Sequence, residues 1–211
     1  MDRNTHIPPE IQKTLAHFKQ NNMRGFFASS SQEVLPLLDT LIPDGTVVGS
    51  GDSVTLEALE VFPYLRNRQM EFLDKFQPSL TKEQKRELYI RNFSADTFIT
   101  STNAITHTGC LFNIDGNGSR VAPMIYGPRQ VIVVVGTNKL VPTVDDAIIR
   151  ARQIAAPRDA LRLQKNTPCT KTGTCVDCKH PDRICNTFVL IARQFIADRI
   201  KVIIVDGAFG Y

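Results

Sequence analysis

Four cysteines crowd into residues 169–185: Cys169, Cys175, Cys178 and Cys185, spaced C-x5-C-x2-C-x6-C, while a fifth, Cys110, lies far upstream in an apolar stretch. Thiols gathered this closely serve a metal, a disulfide or a redox reaction. The residues between them, Lys171, Gly173, Asp177, Lys179, His180 and Pro181, are loop formers able to fold around an ion. A structural zinc site usually presents two close ligand pairs and a longer spacer, and here only Cys175 and Cys178 make such a pair. The compact spacing is nearer to that of iron–sulfur loops, although it matches none of the ferredoxin patterns. Metal is therefore favoured over bare thiols, and an iron–sulfur cluster over structural zinc. His180 is a further candidate ligand, but four cysteines fill a coordination shell without it.

Two polar loops offer a different chemistry. Thr46–Val48 reads as a strand that runs into Gly49, Ser50, Gly51, Asp52 and Ser53, followed by a helical stretch. The glycines permit a sharp turn, and Ser50, Asp52 and Ser53 are able to cap the helix, whose free N–H groups attract phosphate or carboxylate. The loop is neither a Walker loop nor a G-x-G-x-x-G dinucleotide fingerprint, and a plain strand–helix connection explains it equally well. The second loop, Thr100–Gly109, is dense in neutral donors suited to a carboxylate or sugar. Asn103, Thr106, Thr108 and Gly109 are its candidate ligand-binding residues. His107 could act as an acid or base near neutral pH, though a lone histidine is more often structural. Asp115-Gly116-Asn117-Gly118 reads as a hairpin turn, and Arg120 and Arg129 as surface charges or anion clamps.

Positioning these loops requires strands and helices in alternation. Gly25–Ala28, Met70–Leu73, Thr97–Thr100, Cys110–Ile114, Val121–Ile125 and Val202–Val205 are β-prone. Val131–Val135 is apolar without alternation, as in a strand buried on both faces. Helical spacing marks Pro9–Asn21, the stretch from Val34, Val54–Val61, Thr81–Asn92, Val144–Ala156 and Phe188–Ala197. This cadence predicts an α/β fold with a doubly wound, mainly parallel sheet. The expected organisation is one domain over residues 1–211 with a cysteine-rich insertion at 166–187. Ligands of such sheets sit beyond the carboxyl ends of the strands, where the Gly49–Ser53 loop falls.

The chain has 211 residues, 42% hydrophobic and 22% charged, ordinary for a globular protein. Its 25 basic and 21 acidic side chains give a net charge of +4, which favours a small anion but supplies no Lys/Arg-rich tract for nucleic acid. No window has the apolar length of a membrane span. The polar start, MDRNTHIPPEIQKTL, has no signal core. The expected location is the cytoplasm, where clustered thiols favour metal or redox roles over disulfides.

Taken together, GSGDSVTLEAL at 49–59, ADTFITSTNAITHTGCLFN at 95–113 and GPRQVIVVVGTNKLVPTVDDAIIRAR at 127–152 resemble the LUD domain (lactate-utilization) family. CTKTGTCVDCKHPDRICN at 169–186 resembles the cysteine-bearing stretch of a short, single-domain branch. The resemblance implies a fold like that of the sugar-phosphate isomerase and coenzyme A-transferase superfamily. It also implies a role in L-lactate or other organic-acid metabolism beside iron–sulfur oxidoreductase subunits, with a small anionic metabolite as ligand. The chain lacks the superfamily's acidic catalytic settings, Glu57 and Asp115 being the nearest acids. Two alternatives therefore stand beside the leading reading of an accessory protein or subunit. One is an isomerase- or transferase-like enzyme on a phosphorylated or CoA-linked metabolite, which needs an ionisable group among Asp52, Glu57, His107 and Asp115 in the pocket. The other is a non-catalytic ligand-binding regulatory module. A homodimer is the expected assembly if the chain associates.

Overall fold

Five consecutive β-branched residues, Val131–Val135, run through the centre of the protein without exposed surface. Their side chains alternate between two hydrophobic clusters, Val131, Val133 and Val135 entering one and Ile132 and Val134 the other. A strand covered on both faces needs no polar alternation, which is why this run is uniformly apolar.

The computed structural model describes residues 7–211, so the polar start at residues 1–6 lies outside it. In chain order the strands are β1 (Arg24–Ala28), β2 (Val47–Ser50), β3 (Glu71–Phe72), β4 (Thr97–Thr100), β5 (Ala104–Thr106), β6 (Leu111–Asp115), β7 (Gln130–Gly136), β8 (Leu140–Val141), β9 (Thr187–Ile191) and β10 (Ile200–Val205). The helices are α1 (Pro9–Gln20), α2 (Val34–Leu41), α3 (Val54–Ala58), α4 (Val61–Arg66), α5 (Lys82–Arg91), α6 (Ala122–Ile125), α7 (Val144–Arg150), α8 (Ala156–Arg162) and α9 (Pro168–Thr172). Six strands in the order β1-β10-β7-β4-β2-β3, all parallel, make the central sheet. The α2–α4 face packs with Val34, Leu38, Leu56 and Leu65 against Ile99, Val134 and Ile203. The opposite face is covered by Ile11 and Phe18 of α1 and by Ile105 and Leu111 of a second sheet. The α/β class with a mainly parallel central sheet is thus the observed one.

The second sheet, β8-β5-β6-β9, is mixed and has no counterpart in the sequence reading. It accounts for one correction. The stretch Phe188–Ala197, expected as a helix, instead supplies β9, pairing antiparallel with β6 from Asp115 opposite Thr187 to Leu111 opposite Ile191. Thr187-Phe188-Val189-Leu190-Ile191 is β-branched and aromatic, and β6 offers it an edge; partner availability overrode the helical spacing. A second correction is Val121–Ile125, expected as a strand but folded into α6. Pro123 sits near the start of that helix, where its missing N–H costs nothing. The guanidinium of Arg199 satisfies the carbonyls of Pro123 at 3.0 Å and Met124 at 2.8 Å.

Between α7 and α8 the helix widens into a π-helical turn, Ala151–Ala155. Pro157, just beyond, has no N–H with which to continue the ladder, a cause for such a register change. Ala155 and Ala156, at this wide turn, border the cleft described next. No helix among the described residues is long and apolar enough to cross a membrane.

Candidate functional site

The loops following three adjacent strands, β2, β4 and β7, open on one side of the sheet. They deliver Asp52 and Ser53, then Ser101, Thr102 and Asn103, then Lys139, to a cleft of about 440 Å³. That volume suits a small metabolite, and carboxyl ends of parallel strands are where such ligands sit. Lys75, Asp115, Arg120, Asp159, Arg162 and Tyr211 contribute further polar groups, and Arg183, Ile184 and Cys185 close the wall.

Gly51 is required at the end of β2 by close approach: a Cβ there would stand 2.7 Å from Cγ of Arg120 and 2.6 Å from Oγ1 of Thr100. Behind it, Ser53 caps α3 by accepting from the Leu56 N–H at 3.1 Å. This five-residue helix thus spends its cap locally. Asp52 lies 2.8 Å from the Lys75 ammonium.

Arg120 organises the loops from within. It donates to the carbonyl oxygens of Ser101 at 3.1 Å and Ile114 at 2.7 Å, and to Oδ1 of Asn113 at 2.6 Å and Asn103 at 3.2 Å. Asp115 completes the set at 3.4 Å, and only 13% of the Arg120 side chain is exposed. Asp115 in turn accepts the N–H groups of Asn117 at 3.2 Å and Gly118 at 2.7 Å, so the DGNG stretch is an Asp-anchored turn leading into α6 rather than a hairpin. Replacing Arg120 with Met is expected to destabilise the protein by about 3–5 kcal/mol, because it strands a buried carboxylate and several carbonyls. Urea denaturation of the two proteins measures this.

The group that stands apart is Lys139, on the 3₁₀ turn after β7. It is 3% exposed. Its ammonium meets only neutral acceptors: Thr55 Oγ1 at 2.8 Å, Thr102 O at 3.3 Å and Ser101 Oγ at 3.4 Å. Every other cation of the cleft has a carboxylate: Lys75 with Asp52 at 2.8 Å, Arg120 with Asp115 at 3.4 Å, Arg162 with Asp159 at 2.8 Å and Arg183 with Asp177 at 3.2 Å. Among the described residues Lys139 has none. Burial, reinforced by the nearby positive charges of Arg150 and Arg120, pushes its amine down to about 7. Arg150 holds the two loops around it, donating to the carbonyls of Asn103 at 2.5 Å and Asn138 at 3.3 Å. The sequence reading did not select Lys139; an isolated lysine between Asn138 and Leu140 carries no motif.

Residues 209–211 fold over this amine. Thr55 Oγ1 donates to the Phe209 carbonyl at 2.9 Å, and Tyr211 donates to Asp159 at 3.1 Å. Burial, with Asp159 close by, raises the Tyr211 phenol to about 12, keeping it a donor. Gly210 has φ +66°, and a Cβ on it would lie 2.6 Å from Thr55 Oγ1 and 3.3 Å from Lys139 Nζ. Gly210→Ala is accordingly expected to cost about 1–2 kcal/mol in backbone strain and to dislodge Thr55 from Lys139. A lowered melting temperature together with weakened ligand binding would register both effects.

Of the residues expected to bind ligand, Asp52, Ser53 and Asn103 line the cleft. Gly49, Ser50 and Gly51 lie behind it on β2 and its end, with Ser50 Oγ buried and unpartnered among the described residues. Thr106, Thr108 and Gly109 are elsewhere, at the end of β5 and in the β5–β6 turn. Thr106 Oγ1 bonds Thr108 Oγ1 at 2.8 Å and the Cys110 N–H at 3.0 Å, and Asn21 of α1 donates to the Thr108 carbonyl at 2.9 Å. Asp52 and Asp115 face the cleft, each committed to a cation, whereas Glu57 and His107 do not line it; the His107 carbonyl bonds Nδ1 of His17 at 2.7 Å. Arg129 is solvent-exposed beside Asp96.

Cys169, Cys175, Cys178 and Cys185 together border one small cavity, with Thr167 and Arg183. All are free thiols. Cys175 Sγ accepts from the Asp177 N–H at 3.4 Å and from Arg152 at 3.8 Å. Burial, then the neighbouring thiols, raise the Cys185 thiol against the pull of Arg183. Among the described residues no three His, Cys, Asp or Glu side chains already stand in an ion-holding arrangement. The four cysteines nevertheless line one small cavity together with Arg183, and the Asp177 N–H and the Arg152 guanidinium reach Cys175 Sγ. His180 does not border that void; its Nδ1 accepts from the Asp182 N–H at 3.1 Å. Ala156, Arg183, Ile184 and Cys185 border both this cavity and the cleft, so the cysteine loop is one of the cleft's walls.

An α/β protein with a parallel sheet and a polar cleft at its carboxyl edge is the class that fold and site define. The LUD domain family model matches residues 11–205, and the chain belongs to that family, as a protein of the lactate-utilization type. A DUF162 family protein from Deinococcus radiodurans superposes with a TM-score of 0.53 at 13% identity, over 94% of this chain and 96% of that one. Ribose 5-phosphate isomerase A from Methanocaldococcus jannaschii (TM-score 0.36, 17% identity, 68% and 66% coverage) and a variant of the decarboxylase AibA/AibB (TM-score 0.36, 14% identity, 85% and 89% coverage) are more distant. No curated protein matches the chain.

Proposed function

We propose that the cleft binds a small carboxylate of the 2-hydroxy or 2-oxo acid class, and that the protein serves an organic-acid (L-lactate) oxidation system as an accessory protein or subunit. The observation that carries this reading is Lys139, a buried cation without a carboxylate, placed where ligands of parallel sheets sit. Family membership gives the reading its metabolic direction. Asn103 supports it: the residue lines the cleft, its Oδ1 accepts from Ile114 N and Arg120, and its Nδ2 has no partner among the described residues. Isothermal titration with lactate and with pyruvate tests it. Saturable binding in the micromolar to millimolar range, competed by the other acid, is the expected result, and heat of dilution alone would refute it.

The cysteine loop is proposed to hold a metal, with Cys169, Cys175, Cys178 and Cys185 as ligands, because the four cysteines line one small cavity and the Asp177 N–H donates to Cys175 Sγ. Zinc would pin the loop, and an iron–sulfur cluster would add one-electron transfer toward an iron–sulfur partner subunit. Metal analysis with an absorbance spectrum of anaerobically prepared protein separates the two. The isomerase- or transferase-like alternative has less support, since Asp52 and Asp115 are both engaged by cations.

A further inference from the structure

We propose that Lys139 forms a covalent imine with a 2-oxo acid bound in the cleft. The inference rests on the reading of the cleft as a small-carboxylate site, and it assigns that site a ligand with a ketone beside its carboxylate.

Three features of the lysine's setting point to a nucleophile rather than a structural cation. First, an ammonium kept for structure gains a carboxylate, as Lys75 does with Asp52 at 2.8 Å; Lys139 is given only two hydroxyls and a carbonyl. Second, those hydroxyls have distinct tasks. The Thr55 proton is committed to the Phe209 carbonyl at 2.9 Å, so Thr55 accepts from the amine and orients it. The Ser101 hydroxyl lies 3.3 Å from Thr55 Oγ1, 3.4 Å from the Thr102 carbonyl and 3.4 Å from Nζ. With no acceptor nearer than these, its proton can be redirected to a ligand oxygen. Third, burial and the Arg120 and Arg150 charges bring the amine down to about 7. Amines activated this way, by desolvation and neighbouring cations, are those that attack carbonyls.

The reaction balances without an oxidant. The Nζ lone pair adds to the ketone carbon, the C=O π pair moves to oxygen, and a proton passes from nitrogen to that oxygen, giving a carbinolamine. The hydroxyl then leaves with a proton as water while the C=N bond forms. One amine and one ketone become one imine and one water. The carboxylate remains beside the free Nδ2 of Asn103, the cleft donor that Arg120 and Ile114 do not use. A 2-hydroxy acid has no ketone and stays noncovalent.

The test is incubation of the full chain with pyruvate and sodium cyanoborohydride at pH 7, followed by intact mass and peptide mapping. The expected adduct adds the mass of pyruvate less one oxygen atom and maps to Lys139. An amine at about 7 has roughly a thousandfold more neutral form at that pH than an ordinary lysine, so Lys139 should be modified on the order of a hundredfold faster than surface lysines once lower basicity is allowed for. Lactate should give no adduct, and Lys139→Arg should lose the fast, site-selective trapping. Saturable pyruvate binding with no adduct at Lys139, or adducts spread evenly over the lysines of the wild-type chain, overturns the imine while leaving the carboxylate site standing. Absence of both binding and adduct overturns both. Mapping on the wild-type chain decides the matter even if the variant fails to fold.

Discussion

Lys139→Met is expected to weaken carboxylate binding by about 10- to 100-fold, the worth of a charge-assisted hydrogen bond, without weakening the fold. Calorimetry on the folded variant reads the first part. The second follows from the lysine's surroundings, since it has only neutral partners and Met matches its length. Replacing a desolvated ammonium with a hydrophobe is often neutral or stabilising, the opposite of what is expected for Arg120. The pH dependence has a definite sign. Lys139 is held near 7 in the fold by burial, Arg150 and Arg120, against 10.5 for an ordinary lysine, with no carboxylate beside it. Between those values the unfolded chain binds more protons than the native one, so the stability of the wild-type protein rises with pH from about 7 to 10.5 by up to a few kcal/mol relative to the variant. Urea midpoints of both proteins at pH 7, 8 and 9.5 check this; a constant difference would mean that the amine titrates as an ordinary one.

Cys175→Ser with Cys178→Ser is expected to abolish stoichiometric metal, from about one ion or cluster per chain to none. It should also bring the melting temperature of the loaded protein down to that of chelator-treated protein. Loss of two thiolates removes the only close ligand pair, and metal binding to the native state is itself folding free energy. A stabilisation of about 3 kcal/mol from a bound ion corresponds to roughly 6–12 °C for a chain of this size. Cys110→Ser is the matching control. That thiol lies in the β5–β6 turn beside Thr108 Oγ1 at 3.8 Å, away from the loop. Metal content by mass spectrometry and the visible spectrum decide the outcome; equal metal in the double variant would remove the loop from consideration.

The sheet was legible because its strands announce themselves. Val131–Val135, short, β-branched and without alternation, suits a strand buried on both faces and is one, and Thr97–Thr100 falls at its expected bounds. The Gly49–Ser53 loop was placed correctly at the carboxyl edge, but only its last two residues line the cleft, because Gly51 packs against Arg120 and closes off the earlier ones. The other misses are long-range. Asn186 reaches Asp115 by a backbone bond at 3.0 Å and Gly116 by its side chain at 3.2 Å, contacts between segments some seventy residues apart that bring the cysteine loop to the cleft. Lys139 likewise becomes a site only when Leu140 pairs with Ile105 and Arg150 clamps the flanking carbonyls. Thr106, Thr108 and Gly109 resembled ligand donors for the same reason in reverse: their polar groups are spent on one another and on α1, which spacing along the chain does not reveal.

The wall made by Arg183, Ile184 and Cys185 has a thermodynamic corollary. One side of it faces the thiols and the other faces the cleft, so an ion on one side and an anion on the other share a single stretch of backbone. Whatever factor the ion applies to anion affinity, the anion must apply to ion affinity. Arg183, which donates to the carbonyls of Cys178 and of Cys185, stands in that wall and ties its two ends together. Thiol oxidation or metal loss would then be felt as a change in metabolite affinity, and metabolite supply as a change in how firmly the metal is kept.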